Sequence, residues 1–169
     1  MMQLASDILL WVSAIGCGLI AGLYFAFSTF IMTALDRLDR EAGRAAMNAI
    51  NSTILGSLFM PLFFGTTLAS AVLALLAPFR WDEPGSMFMF AGGLVYVIGM
   101  FVITMVFNVP LNNELNRDPT SEDEAAAIWA RYLKDWTFWN HLRTVASTIA
   151  CGCFIAALLA SRSSASLAM

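Results

Sequence analysis

Four long apolar runs, separated by short polar stretches, set the pattern of the chain. Residues 8–32, 54–77 and 87–107, and a last run ending near Ala160, are each long enough to cross a bilayer core of about 30 Å. They predict four membrane-spanning helices. The polar stretches differ in kind. Residues 34–52 carry Asp36, Arg37, Asp39, Arg40, Glu41 and Arg44 and predict a short amphipathic helix on the membrane surface. Residues 78–86 form a tight connection with Trp81 as an interfacial anchor. Ser121 and Glu124 fit a capping box, and the acids Glu122, Asp123 and Glu124 suit a helix N-terminus. Ala125, Ile128, Trp129, Tyr132, Leu133 and Trp136 follow at helical spacing, so a second amphipathic helix feeds straight into the fourth span. The expected fold is all-α: a four-helix transmembrane bundle with one amphipathic helix before span 2 and another before span 4. Residues 1–160 make one membrane domain. The Ser/Ala-rich residues 161–169 form a disordered tail.

Features inside the spans refine this picture. Gly16, Gly18 and Gly22 allow close helix approach. Pro61 would kink span 2 and leave the Ser57 carbonyl without its helical donor; Pro110 would do the same to Val106, beside Asn108. The first run is too long for a signal-peptide core and lacks a basic leader.

Composition agrees. The 169 residues are 59% hydrophobic and 12% charged, against roughly 25% charged in soluble domains. No basic tract suits nucleic acid. Cys17, Cys151 and Cys153 all lie in apolar runs and read as inert thiols. The oligomeric state is left open.

Four spans place both termini on one side, and the other side gathers the polar residues. Tyr24 and Ser28 end span 1, Asn48 and Asn51 precede span 2, Thr104, Asn108 and Asn112 end span 3, and Trp136, Asn140, His141, Arg143 and Thr144 open span 4. Basic residues 37, 40, 44, 117, 131, 134 and 143 share that side; Arg80 and Arg162 do not. By the positive-inside rule the convergent end faces the cytoplasm and the termini lie outside, as in a bacterial inner membrane protein.

The segment Trp136–Arg143 is the focus, because it holds the one histidine of the chain. On a helix, Trp136, Thr137, Asn140, His141, Arg143, Thr144, Ser147 and Thr148 share one arc. A neutral His141 is a candidate base, Arg143 a permanent charge for an enolate oxygen, and Asn108, Asn112 and Asn140 are oxyanion donors. Tyr24, Ser28, Asn48, Asn51, Thr104, Trp136 and Thr144 are candidate substrate contacts. The set suits proton abstraction beside a carbonyl. The alternatives are that Arg143 snorkels to phosphate, that His141 only bonds a carbonyl, that Tyr24 is an interfacial anchor and that Asn48 and Asn51 are caps. A single histidine does not make a zinc or non-haem iron set, although one axial haem ligand needs no more.

The runs Gly22-Leu23-Tyr24-Phe25-Ala26-Phe27-Ser28, Asn108-Val109-Pro110-Leu111-Asn112 and Trp136 to Arg143 resemble the anthrone oxygenase-like family, small four-span membrane proteins. The resemblance runs from about Gly22 to Ser147. It implies oxidation of an anthrone to an anthraquinone by molecular oxygen without a dissociable cofactor. His141 would then make the enolate, with Asn108, Asn112, Asn140 and Arg143 on its oxygen. The expected function is a cofactor-independent membrane oxygenase for a lipophilic anthrone-like or phenolic substrate that enters from the bilayer. The competing expectations are a non-catalytic protein that binds a lipophilic ligand or a partner subunit, and a haem or quinone protein using His141.

Overall fold

The structure, a computed structural model, describes residues 2–167, with side chains from Leu4 to Ser161. These residues form five helices and no strand. Helix α1 covers residues 2–36, α2 is Arg40–Leu55, α3 covers residues 59–80 and ends in a tight 3₁₀ turn, α4 is Ser86–Leu115, and α5 covers residues 122–167. Of these, α1, α3, α4 and α5 are long and apolar enough to cross a membrane. Inside a bilayer the backbone must satisfy its own polar groups, which leaves an apolar run of this length the helix.

The far half of the bundle, next to the termini and the residue 81–85 connection, is packed tightly. Small residues let the backbones approach, as membrane helices require when lipid offers no hydrophobic drive for association. A Cβ added to Gly16 would overlap Thr66, and one on Gly93 would overlap the Ser70 carbonyl oxygen. At Gly92 it would lie 2.9 Å from Cys153 Cβ, and at Gly99 2.5 Å from Ala146 Cβ. Leu10, Ile20, Leu73, Met89, Tyr96, Met100 and Phe154 fill this core. Gly18 makes an ordinary contact with Cys151, but Gly22 has nothing near it, so the expected glycine seam stops before the end of α1. The connection to α4 is closed by Arg80, which donates to Glu83 Oε2 (2.9 Å) and holds that carboxyl below its ordinary range.

The other half is capped rather than tightly packed. Helix α2 lies across its end. Arg44 Nε donates to the Leu115 carbonyl (3.0 Å), and Nη2 donates to the Arg117 carbonyl. A cation thus satisfies free acceptors at the C-terminus of α4. Phe27, Met32, Leu35, Met47, Leu111, Leu115, Trp129, Tyr132 and Trp136 form a second core beneath α2. The start of α5 belongs to this cap. Ser121 Oγ accepts from the Glu124 N–H (3.2 Å) as the capping box requires, while Glu124 reaches back one residue further, to Thr120 N (2.7 Å).

Three spans leave α geometry between the middle of the bundle and this capped end. Residues 27–31 of α1, 97–102 and 104–108 of α4, and 132–136 of α5 form wide π-helical turns. Each wide turn holds an extra residue and re-aims the side chains that follow; such turns gather at functional sites.

Two expectations about prolines and boundaries change. Ile54 and Leu55 belong to α2, the chain breaks at residues 56–58, and α3 begins at Phe59. Pro61 therefore sits in the first turn of a helix, where its missing N–H costs little, and the Ser57 carbonyl accepts from Met60 N (3.2 Å). It starts span 2 instead of kinking it. Pro110 sits in the first turn of the α-helical stretch that starts at Val109, just after the wide turn at 104–108. The backbone of α5 continues to Leu167. The disorder expected for residues 161–169 falls largely on side chains outside the described residues.

Candidate functional site

The wide turns and the cap surround a cavity of about 470 Å³, within the usual range for small-molecule sites. Its walls come from α1 (Leu23, Tyr24, Phe27), α2 (Met47 to Leu55), α3 (Phe59, Met60, Phe63, Phe64), α4 (Thr104, Met105, Val109 and beyond) and α5 (Trp136, Arg143). The lining is mostly apolar and aromatic. Its polar groups are Tyr24, Asn48, Asn51, Ser52, Thr104, Asn112, Asn113, Asn116, Trp136 and Arg143.

Arg143 is the most costly of these. It is 3% exposed. Nη2 donates to Asn140 Oδ1 (2.8 Å), and Nη1 lies 3.3 Å from Thr104 Oγ1. Its Cζ stands 4.1 Å from the Tyr24 ring centre and 5.1 Å from that of Trp136. Its Nε has no partner. The ion pairs among the described residues all lie elsewhere, at Arg40–Glu122, Arg80–Glu83, Arg131–Glu114 and Arg131–Asp135. A guanidinium at this depth without a carboxylate is a net positive charge in a low dielectric. Such charges are expensive unless paired. Two aromatic faces offset part of that cost. The alternative of snorkelling to phosphate fails, because the head group points into the bundle.

Asn140 holds this cation in place. It is fully buried and uses its whole amide. Nδ2 donates to the Tyr24 carbonyl and to Ser28 Oγ, both at 2.8 Å, and Oδ1 accepts from Arg143. Ser28 in turn lies 3.1 Å from Thr144 Oγ1. Asn140, Ser28 and Thr144 therefore tie α1 to α5 behind the cavity wall. Asn108, also buried, donates to the Trp136 carbonyl (3.2 Å) and does not line the cavity; its Oδ1 has no partner.

His141 departs furthest from expectation. It is exposed on the outer face of α5 and is not part of the cavity wall. At 100° per residue it lies about 160° around the helix from Arg143, at opposite edges of the arc read from the sequence. The arc was too wide. Trp136, Asn140, Arg143 and Ser147, which point inward, span only about 60° of it, while His141 and Thr148 face outward. Neither the base nor the axial-ligand role expected for His141 can be exercised in this cavity.

Of the residues singled out in the sequence, Tyr24, Asn48, Asn51, Thr104, Asn112, Trp136 and Arg143 line the cavity, and His141, Asn140, Asn108, Ser28 and Thr144 do not. Asn48 and Asn51 lie inside α2, so they are not caps. Asn48 Nδ2 reaches the Leu115 carbonyl (3.4 Å) and leaves Oδ1 without a partner. Tyr132, not among the candidates, is 1% exposed and donates to Asn112 Oδ1 (2.8 Å), with Asn51 Nδ2 3.5 Å from its hydroxyl. The aromatic wall Phe59–Phe63–Phe64 was also unforeseen. Its helical spacing is in the sequence, but so is that of every lipid-facing run. Among the described residues no cluster of three or more His, Cys, Asp or Glu could hold a metal ion.

A family model described as anthrone oxygenase matches residues 52–153, more than half of the chain. The match contains Thr104, Asn112, Trp136 and Arg143 and leaves Tyr24, Asn48 and Asn51 outside it. No curated protein and no solved structure matches the chain.

Proposed function

Taking as premise that the chain belongs to the anthrone oxygenase family, we propose that it is a membrane-embedded oxygenase whose cavity ionises a lipophilic anthrone-like or phenolic substrate for direct reaction with molecular oxygen. The observation that carries this reading is the buried, unpaired charge of Arg143 at the wall of an aromatic cavity. A permanent cation there stabilises an oxyanion far more than water does. Anthrones and phenols carry their own acidic proton, so Arg143 lowers the substrate's pKa instead of relying on a protein base. The proton passes to water at the polar mouth, where Asn113 and Asn116 are exposed.

The ionised ring carbon then gives one electron to O2, the two radicals join as a carbon-bound peroxide anion, and this takes a proton back from water at the mouth to become the hydroperoxide. Loss of water leaves a carbonyl. In sum a CH2 group and one O2 become C=O and H2O. Four electrons leave carbon, and one oxygen atom enters the product. Thr104 and Asn140 hold the guanidinium, Tyr24 and Trp136 face it, and Asn48, Asn51 and Asn112 meet the other end of the substrate. The basic residues Arg37, Arg40, Arg44, Arg117, Arg131 and Lys134 favour a mouth on the cytoplasmic side.

The test is oxygen uptake by the purified protein with anthrone, wild type against Arg143→Met. One O2 consumed per anthraquinone formed, lost in the variant, is the expected result. Uptake no faster than in protein-free micelles, with anthrone bound, would make the protein a binder.

A further inference from the structure

We infer that the cavity has a second opening, an apolar slit between α3 and α4, through which an uncharged lipophilic aromatic molecule enters sideways from the bilayer. The inference rests on the reading of the cavity as a site for such a molecule, but not on oxidation.

The slit follows from how the two spans part. Where Gly93 meets the Ser70 carbonyl, α3 and α4 touch backbone to backbone. They stay in contact into the 97–102 segment of α4, and the 104–108 segment packs less against α3. Phe101 bridges them at this level, with its ring 5.6 Å from Phe63 and 6.3 Å from Phe64. Past this floor the wide turn at 104–108 re-aims α4, and the cavity wall passes to Phe59 and Met60 on one side and Met105 and Val109 on the other. Exposed Leu55 lies on the rim at α2, while the two exposed apolar lining residues on α3 and α4 are Phe64, 51% exposed, and Met105, 46% exposed. Both belong to membrane-spanning stretches, Phe59–Arg80 and Ser86–Leu115. Met105 stands ten residues before the end of its span, about 15 Å along a helix axis. An opening there faces hydrocarbon. Charged or hydrated molecules do not cross such a rim, whereas a neutral aromatic does so at little cost.

The polar mouth at Asn112, Asn113 and Asn116 is a separate door. The division has a chemical reason. A phenol or anthrone is soluble in the bilayer only while protonated, and Arg143 favours its anion. Entry through the slit delivers the neutral form, and the mouth removes the proton.

Access can be measured without turnover. Leu23 lines the cavity from α1, so Leu23→Cys in a background with Cys17, Cys151 and Cys153 replaced by Ala is a reporter. The full chain in phosphatidylcholine vesicles is labelled with N-pyrenylmaleimide, which is uncharged and lipid-soluble, and with a membrane-impermeant sulfonated methanethiosulfonate. Phe64→Trp and Met105→Trp narrow the slit; Asn113→Trp and Asn116→Trp narrow the mouth. The expected result is a tenfold or greater loss of pyrene labelling with the slit variants and no change for the sulfonate. The mouth variants should show the reverse. If the slit variants leave both rates unchanged, or lower both equally, there is one door and the inference falls. Because labelling needs no oxidation, this outcome stays separate from a failure to consume oxygen.

Discussion

Replacing Arg143 by Met removes one charge and keeps most of the packing against Tyr24 and Trp136. An oxyanion about 4 Å from a guanidinium, at an effective dielectric of about 20, gains about 4 kcal/mol. At 1.36 kcal/mol per pH unit, this lowers the ionisation of a bound phenol by about three pH units. The bond made by Nη2 to Asn140 and the absence of a carboxylate mean that no other charge absorbs this effect. The assay is an absorbance titration of 2-naphthol bound to the protein in neutral micelles, with the micelle-bound naphthol as reference. Wild type should hold naphtholate well below the pH at which micelles alone do, and Arg143→Met should match the micelles. Thermal stability should stay level or rise, because a buried guanidinium without a counter-ion gives back its desolvation cost when removed. Equal titrations in wild type and variant would refute the reasoning, as would a large loss of stability with no change in titration, since Arg143 would then be structural.

Asn140→Asp puts a carboxylate where an amide oxygen now lies 2.8 Å from Arg143 Nη2. The internal ion pair should cancel most of the naphthol effect while the arginine remains, and the same titration reads it. His141→Ala should leave both naphthol ionisation and anthrone oxidation within twofold of wild type, because the ring faces outward; a hundredfold loss of oxygen uptake would restore it to the mechanism. Gly93→Ala sets a methyl group against the Ser70 carbonyl oxygen, and a backbone clash in a close-packed seam should cost about 1–3 kcal/mol. A thermal melt indistinguishable from wild type would contradict that contact.

Hydropathy and capping are local properties, and they were legible in the chain. The four spans, the helix before span 2, the start of α5 at Ser121 and the gathering of polar residues at one end all follow from segment length, periodicity and the even number of crossings. For that reason Tyr24, Asn48, Asn51, Thr104, Asn112, Trp136 and Arg143, all picked out from the chain, line one cavity. What a 3.6-residue period does not resolve is which part of a polar arc faces the cavity. His141 and Arg143 were placed together, yet only packing of α1 and α4 against α5 decides that the Arg143 edge turns inward. The wide turns at 27–31, 97–102, 104–108 and 132–136 add residues without changing the hydropathy pattern, so they re-aim side chains invisibly. Asn140, Asn108, Ser28 and Thr144 are polar and buried, as their sequence suggests, but the tertiary structure gives them the work of joining helices. The unpaired state of Arg143 is likewise a property of the fold: twelve acidic residues are present in the sequence, and only their placement at the ends of the bundle leaves this cation without a partner.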